Sequence, residues 1–308
     1  MSVKREEYSG RLRNAEKKKL KPGSVMDIAT TEVVTAPPTS TIMSILKTMV
    51  GYSFRRVPIV DSGTKRLEGI TTGTDIINFF GGGSKHKIVE SRYGNNLLAA
   101  VNESVREIME KPTAVDFTYS WEDALEVIFG RKVGGCPILD REGRIMGIIT
   151  ERDILEFLSR QTGFDGVVGD FMTRGVVTIG PHTTIEEAMK IISSKKIRRL
   201  PVIQDGVLLG LITSSALLRY FGSGEAFRML VTGDVTDIHQ KPIKLILSDE
   251  SLLEYKDLLT FSPEDRISQV ATEMINKNHG AALIMGGELE GLITERDLVY
   301  FLFNALRK

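Results

Sequence analysis

One corner recurs four times in this sequence, and it constrains the fold more than any other feature. Gly69-Ile70-Thr71-Thr72-Gly73-Thr74-Asp75 runs directly into the apolar segment Ile76 to Phe80. An apolar run, a glycine-tolerant bend, a threonine and an aspartate three residues later predict a buried strand feeding a helix N-terminus. The pattern returns at Gly147-Ile148-Ile149-Thr150-Glu151-Arg152-Asp153 and at Gly291-Leu292-Ile293-Thr294-Glu295-Arg296-Asp297. It returns again at Gly210-Leu211-Ile212-Thr213-Ser214-Ser215-Ala216, where the aspartate is missing. Four copies of one corner define a repeat array, whose units are too small to bury their apolar faces alone.

The residues around each corner predict a β-α-β-β-α unit. In the first repeat, Val33-Val34-Thr35 is a short β-branched run. Ile42, Ile45, Leu46 and Met49 follow on one helix face, at offsets of three, four and seven. Val57-Pro58-Ile59-Val60 is the next strand, Asp61-Ser62-Gly63 opens a turn, and Leu67 to Thr71 returns. The same helix face recurs as Trp121, Ala124, Leu125 and Ile128, then as Ile185, Ala188, Met189 and Ile192, and last as Ile267, Val270, Ala271 and Met274. The corners lie 78, 63 and 81 residues apart (Asp75, Asp153, Ala216, Asp297). The short middle interval joins units two and three, so units one and two form one body and three and four the other. About 150 residues per domain also predicts two bodies from 308 residues. The expected divisions are a basic extension over 1–23, repeats over 24–80, 105–160, 166–221 and 256–306, and connectors over 81–104 and 222–255.

Composition narrows the function classes. There are 40 basic and 40 acidic side chains, so no global field draws in nucleic acid or an acidic membrane, and any anion site must be built locally. Lys17-Lys18-Lys19 and Lys21 read as a solvated run. Cys136 is the sole cysteine, which excludes an internal disulfide and suits a reducing interior. No apolar run reaches the length of a membrane span and no signal peptide is seen, so the expected location is the cytoplasm. His86, His182, His239 and His279 give no metal spacing. Phe80-Gly81-Gly82-Gly83-Ser84-Lys85 follows a helix and lacks phosphate-loop spacing, so it predicts a helix end and a flexible connector. No nucleophile–base pair or acid–base dyad shares a corner, which argues against an enzyme.

The arginines follow a two-fold pattern. Arg55-Arg56 and Arg198-Arg199 open the second strand of the odd repeats, where the even repeats carry Gly134-Gly135 and Gly280-Ala281. The even corners instead carry Arg152 and Arg296, where the odd ones have Thr74 and Ser215. Read alone, such arginines make surface or interface ion pairs. Read alone, Thr-x-x-Asp caps a helix in the manner of a capping box.

Together, the four Gly-[Ile/Leu]-x-Thr corners and the Arg-Arg-x-Pro strands make the repeat resemble the CBS domain, and each pair of repeats a Bateman module. Over about residues 24–306 the chain is similar to the gamma subunit of AMP-activated protein kinase and its stand-alone archaeal relatives. The resemblance implies an α/β (α+β) fold of four repeats in two modules, forming a disc-like, pseudo-symmetric assembly. It implies a non-catalytic regulatory sensor that binds AMP, ADP or ATP between paired sheets. Ribose would be held by Thr72 and Asp75, by Thr150 and Asp153, and by Thr294 and Asp297. Each charged hydrogen bond is worth about 1.5–3 kcal/mol. The third site, with Thr213 and Ala216, would lose roughly one to two decades in affinity and be weak or empty. The phosphates would meet Arg55, Arg56, Arg152, Arg198, Arg199 and Arg296 near the centre, helped by helix N-termini. The base would lie on small surfaces at Ala29, Val34, Thr113 and Leu259. Any regulated enzyme or kinase would act in trans, with the chain a monomer or homodimer. The other readings are a CBS scaffold or oligomerisation module, or a sensor of another adenosyl ligand such as S-adenosylmethionine, whose sulfonium suits a ring of arginines poorly.

Overall fold

In a computed structural model of the chain, residues 23–160, 166–223 and 235–306 are described. The basic run before Pro22 and part of the second connector lie outside them. Each repeat is built on an antiparallel hairpin: β1 (Arg56–Val60) with β2 (Leu67–Thr72), β4 (Gly135–Leu139) with β5 (Ile145–Thr150), β7 (Arg199–Gln204) with β8 (Val207–Thr213), and β10 (Ala281–Met285) with β11 (Leu289–Thr294). All four break register at equivalent points, after Ile59, Ile138, Val202 and Ile284. The predicted leading strand is nearly lost. It survives as β3 (Val115–Asp116) and β9 (Thr260–Phe261), and as single parallel bridges at Ala36 and Ile179, in matching register. Val33 and Val34 belong to no strand.

The leading segments are short because they divide their hydrogen bonds between two repeats. Thr30 bridges Ile148 of repeat two, and Glu110 bridges Ile70 of repeat one. Likewise β6 (Thr173–Arg174), near the start of repeat three, pairs with β11 of repeat four. These exchanges tie one to two and three to four, as the spacing predicts. They also explain the corner glycine, which lies within its strand rather than at a bend. A Cβ on Gly69 would sit 2.5 Å from the Met109 sulfur, and one on Gly291 2.5 Å from that of Met172. One on Gly147 would be 3.1 Å from the Thr30 carbonyl and one on Gly210 2.8 Å from Leu247. At each corner the chain crossing over it fills the notch.

The helices join the modules. These are α1 (Ile42–Tyr52), α2 (Gly73–Ile77), α3 (Lys87–Tyr93), α4 (Leu97–Ala100), α5 (Trp121–Gly130), α6 (Glu151–Ser159), α7 (Ile185–Lys195), α8 (Ser214–Gly222), α9 (Val235–Gln240), α10 (Lys244–Leu247), α11 (Ile267–Asn276) and α12 (Glu295–Leu306). Their predicted faces are buried, apart from Trp121, which is half-buried against Phe157. One core unites the helices of repeats one and three, through Ile45, Met49, Ile76, Met189, Ile192, Leu217 and Phe221. Another unites repeats two and four, through Leu125, Ile154, Leu158, Val270, Met274, Leu298 and Leu302. Strands therefore hold each module together while apolar burial holds module to module. The two predicted bodies share their cores.

The glycine run differs from the flexible connector expected. Gly81 and Gly82 are buried in a wide turn over Asn78–Gly82. A Cβ on Gly82 would meet the Met189 carbonyl at 2.8 Å and the Ser193 hydroxyl at 2.6 Å. Backbone-to-helix contact at the module interface excludes any side chain there, and the connector continues into α3 and α4. No helix among the described residues is long and apolar enough to cross a membrane.

Candidate functional site

Thr72, Thr150 and Thr294 each cap a helix. Each accepts from the backbone of the aspartate three residues on, while that carboxylate takes the threonine's own N–H at 2.7–2.8 Å and hydroxyl at 2.5–2.7 Å. The capping reading is thus realised in all three, and it consumes only Oδ2. Oδ1 remains, with two lone pairs able to serve vicinal hydroxyls. Thr213 caps α8 through the Ala216 N–H at 3.1 Å, with no carboxylate to match.

The free oxygens meet different surroundings. Asp153 Oδ1 accepts the Thr30 hydroxyl, at 3.2 Å. Asp75 Oδ1 is met at 2.6 Å by the ammonium of Lys85. Burial pushes Asp153 and Asp297 above the usual carboxylate range, against hydrogen bonds from their threonines.

All six predicted arginines converge between the modules. Arg55 donates to Glu295 at 3.0 Å and to Glu254 at 3.3 Å. Arg152 donates to Glu295 at 2.6 Å and to the carbonyls of Met274 and His279 at 3.0 and 2.7 Å. The two-fold counterparts follow: Arg296 donates to Glu151 and to the Val133 carbonyl, and Arg198 lies 3.5 Å from Glu151. Arg56 lies against Gly134 and Gly135, and Arg199 against Gly280, where a Cβ would fall 2.3 and 2.2 Å from their guanidinium nitrogens. The glycines of the even strands therefore make room for the arginines of the odd ones.

Among the described residues, Glu151, Glu254 and Glu295 are the carboxylates paired with this cluster of six guanidiniums. Burial opposes ionisation of Glu254 and Glu295, yet the adjacent arginines hold both below the usual range. Arg198 is pushed down to about 10 by burial and by Arg199 and Arg55 beside it. Burial also lowers Arg56, and Arg199 Nε is buried without a hydrogen-bond partner. Arg56 and Arg199 have no ion pair among those of the described residues.

A cavity of about 520 Å³ opens onto it, lined by Thr30, Val34, Pro58, Thr150, Asp153, Arg55, Arg56, Arg152 and Arg198 among others. Of the four positions expected under the base, Val34 lines this cavity. Ala29 instead packs on Gly147, filling the corner notch, and Leu259 is buried in the core of repeats two and four. Thr113 is partly buried, two residues before the Val115 pairing, as Val34 is before Ala36.

The sequence reading missed Glu151 and Glu295, although the shared Thr-Glu-Arg-Asp of the two even corners signalled them. It missed Glu254, Thr30 and Lys85, for which no local pattern exists. His279 is buried against Tyr255 with ring centroids 4.2 Å apart, and its carbonyl rather than its ring faces the arginines.

The comparisons with known proteins agree with this architecture. A family model of the CBS domain matches residues 25–82, 105–160, 168–223 and 235–304. The uncharacterized protein MJ1225 of Methanocaldococcus jannaschii is 34% identical over 90% of this chain and 98% of its own. Its crystal structure, described as that of a proposed archaeal homolog of g-AMPK, superimposes with a TM-score of 0.84 over 90% of this chain and 99% of that one. An uncharacterized 33.4 kDa protein of Thermofilum pendens is 26% identical over 85% of each chain. A conserved protein of Pyrococcus horikoshii, 19% identical with a TM-score of 0.55 over 91% of this chain and 99% of that one, shares the fold. With four matched repeats and a relative of this closeness along nearly its whole length, the chain belongs to the CBS-domain family.

Proposed function

We propose that the chain is a regulatory sensor of adenine nucleotides without catalytic activity of its own. The reading is carried by one observation: an acceptor oxygen on Asp153 and five guanidiniums, those of Arg55, Arg56, Arg152, Arg198 and Arg219, face the same cavity of about 520 Å³, with Val34 and Pro58 on its wall. That volume suits a nucleotide-sized ligand. The ribose hydroxyls would replace Thr30 on Asp153 Oδ1, and Asp297 would serve likewise. The phosphates would meet the guanidiniums that line the cavity. The similarity to MJ1225 supports this reading. AMP, ADP and ATP would compete, and a longer phosphate chain would reach arginines held by the opposite module. A signal requires that the ligand bind two arrangements of the modules differently, and it would pass to a protein partner in trans.

Calorimetric titration of AMP into the wild type and an Asp153→Ala, Asp297→Ala double variant tests the proposal. The double variant should bind at least tenfold more weakly; equal affinity would defeat the assignment. S-adenosylmethionine is the competing ligand. Its sulfonium cannot pair with the guanidiniums as a phosphate would, so thermal stabilisation by AMP and ATP should exceed that by S-adenosylmethionine. At one hundred times the dissociation constant a ligand stabilises by about 2.7 kcal/mol.

A further inference from the structure

We infer that the chain takes two nucleotides, one at each even-numbered corner, and that both odd-numbered corners are closed from within. The inference rests on the nucleotide reading above and specifies its stoichiometry, which the corner motif alone predicts as three.

Corner one keeps its Thr72 and Asp75, but the ribose position is filled. Lys85 comes from the connector ten residues on. Its ammonium lies 2.6 Å from Asp75 Oδ1, 2.7 Å from a Glu110 carboxylate oxygen and 2.6 Å from the Ile108 carbonyl. Its backbone is pinned by a 2.7 Å hydrogen bond to the Asn78 side chain. Lys85 and Asp75 are both largely buried. The three acceptors exhaust the ammonium's three hydrogens, and the ammonium occupies the one carboxylate oxygen the cap leaves over. Glu110 bridges Ile70 just as Thr30 bridges Ile148, so an acid that holds the lysine stands where corner two has a hydroxyl.

Corner one also lacks the phosphate end. Corner two combines its own Arg152 with Arg55 and Arg56 from the partner repeat's strand. At corner one the matching positions are Thr74, Gly134 and Gly135. Corner three lacks both ends. Its acid is Ala216, and its cation positions are Ser215, Gly280 and Ala281. Ser215 and Arg219 border the cavity of corner two, but the segment before repeat four is docked there: Arg219 donates to the Leu253 carbonyl, and Glu254 lines the cavity beside them.

Corner four repeats corner two. Thr173 stands opposite Leu292 as Thr30 stands opposite Ile148, and Val177 precedes the Ile179 bridge by two residues as Val34 precedes that of Ala36. Arg296 and the pair Arg198-Arg199 occupy the positions of Arg152 and Arg55-Arg56. Corners two and four are therefore the two that share the pseudo-two-fold arginine centre.

Equilibrium dialysis of the full chain with labelled AMP, at concentrations above the dissociation constant of the wild type and below that of the variants, counts the sites. The wild type should take up two AMP, Asp153→Asn and Asp297→Asn one each, and the double variant none. Asparagine keeps the helix cap, and circular dichroism verifies folding; should the double variant not fold, the single variants decide. Three AMP per wild-type chain, one AMP per wild-type chain, single variants that still take two, or a folded double variant that still takes one would each overturn the inference. No AMP uptake by the wild type would instead sink the nucleotide reading, and this inference with it.

Discussion

Replacing Glu295 by glutamine should loosen the protein and tighten its ligand. Glu295 is 3% exposed and accepts from Arg55 at 3.0 Å and Arg152 at 2.6 Å. Removing one partner of a buried ion pair costs about 3–5 kcal/mol. Glutamine retains an acceptor oxygen, Arg55 keeps Glu254, and Arg152 keeps two carbonyls, so the cost should fall near the lower limit, about 3 kcal/mol. At about 2–4 °C per kcal/mol, the ligand-free melting temperature should drop by roughly 6–12 °C. The ligand experiences the opposite sign. A phosphate against Arg55 would sit roughly 6 Å from the Glu295 charge, a repulsion of about 3 kcal/mol at an effective dielectric constant near 20. Relieving most of it should tighten AMP by about 30-fold. Thermal melts with and without AMP, together with calorimetric Kd values, measure both effects. Glu151→Gln should behave alike, because Glu151 pairs Arg296 and Arg198 in the same way. A variant that melts lower but binds AMP no tighter would refute the reasoning, since phosphate and Glu295 would then not share guanidiniums.

Three further outcomes are expected. Asp153→Asn should raise the ligand-free melting temperature at neutral pH. Burial raises the Asp153 pKa in the folded state, so its ionisation costs stability above that pKa and nothing below the unfolded value of about 3.9. The gain should therefore shrink as pH falls through the raised pKa; a gain independent of pH would contradict the assignment. Gly82→Ala should lose about 1–3 kcal/mol in urea denaturation, because its Cβ would press within 2.8 Å of the Met189 carbonyl. Unchanged stability would mean that the module interface yields there. Cys136 is fully buried with its thiol pushed up to about 11, so only about 0.1% is thiolate at pH 8. Native protein should resist a thiol-directed disulfide reagent until it unfolds, and rapid native labelling would show the site to be open.

The array was plain in the residue order. Four corners, four helix faces and the spacing that pairs one with two and three with four all follow from patterns within a few residues, because hydrophobic periodicity and capping are local. The arginine positions were legible for the same reason: the glycines opposite them are written into the matching strands. The role of the corner glycine was not, since the chain that fills its notch arrives from the partner repeat. Nor was the fate of the leading strands, which lose length by pairing on two sides.

What holds each acid and each arginine was settled in three dimensions. Arg55 meets Glu295 across 240 residues and Arg296 meets Glu151 across 145, contacts that exist only once the modules dock. Asp75 and Asp153 share one motif, yet one accepts a lysine and the other a hydroxyl. A motif states which atoms are offered. Which partner takes them depends on what the rest of the chain brings within hydrogen-bonding reach.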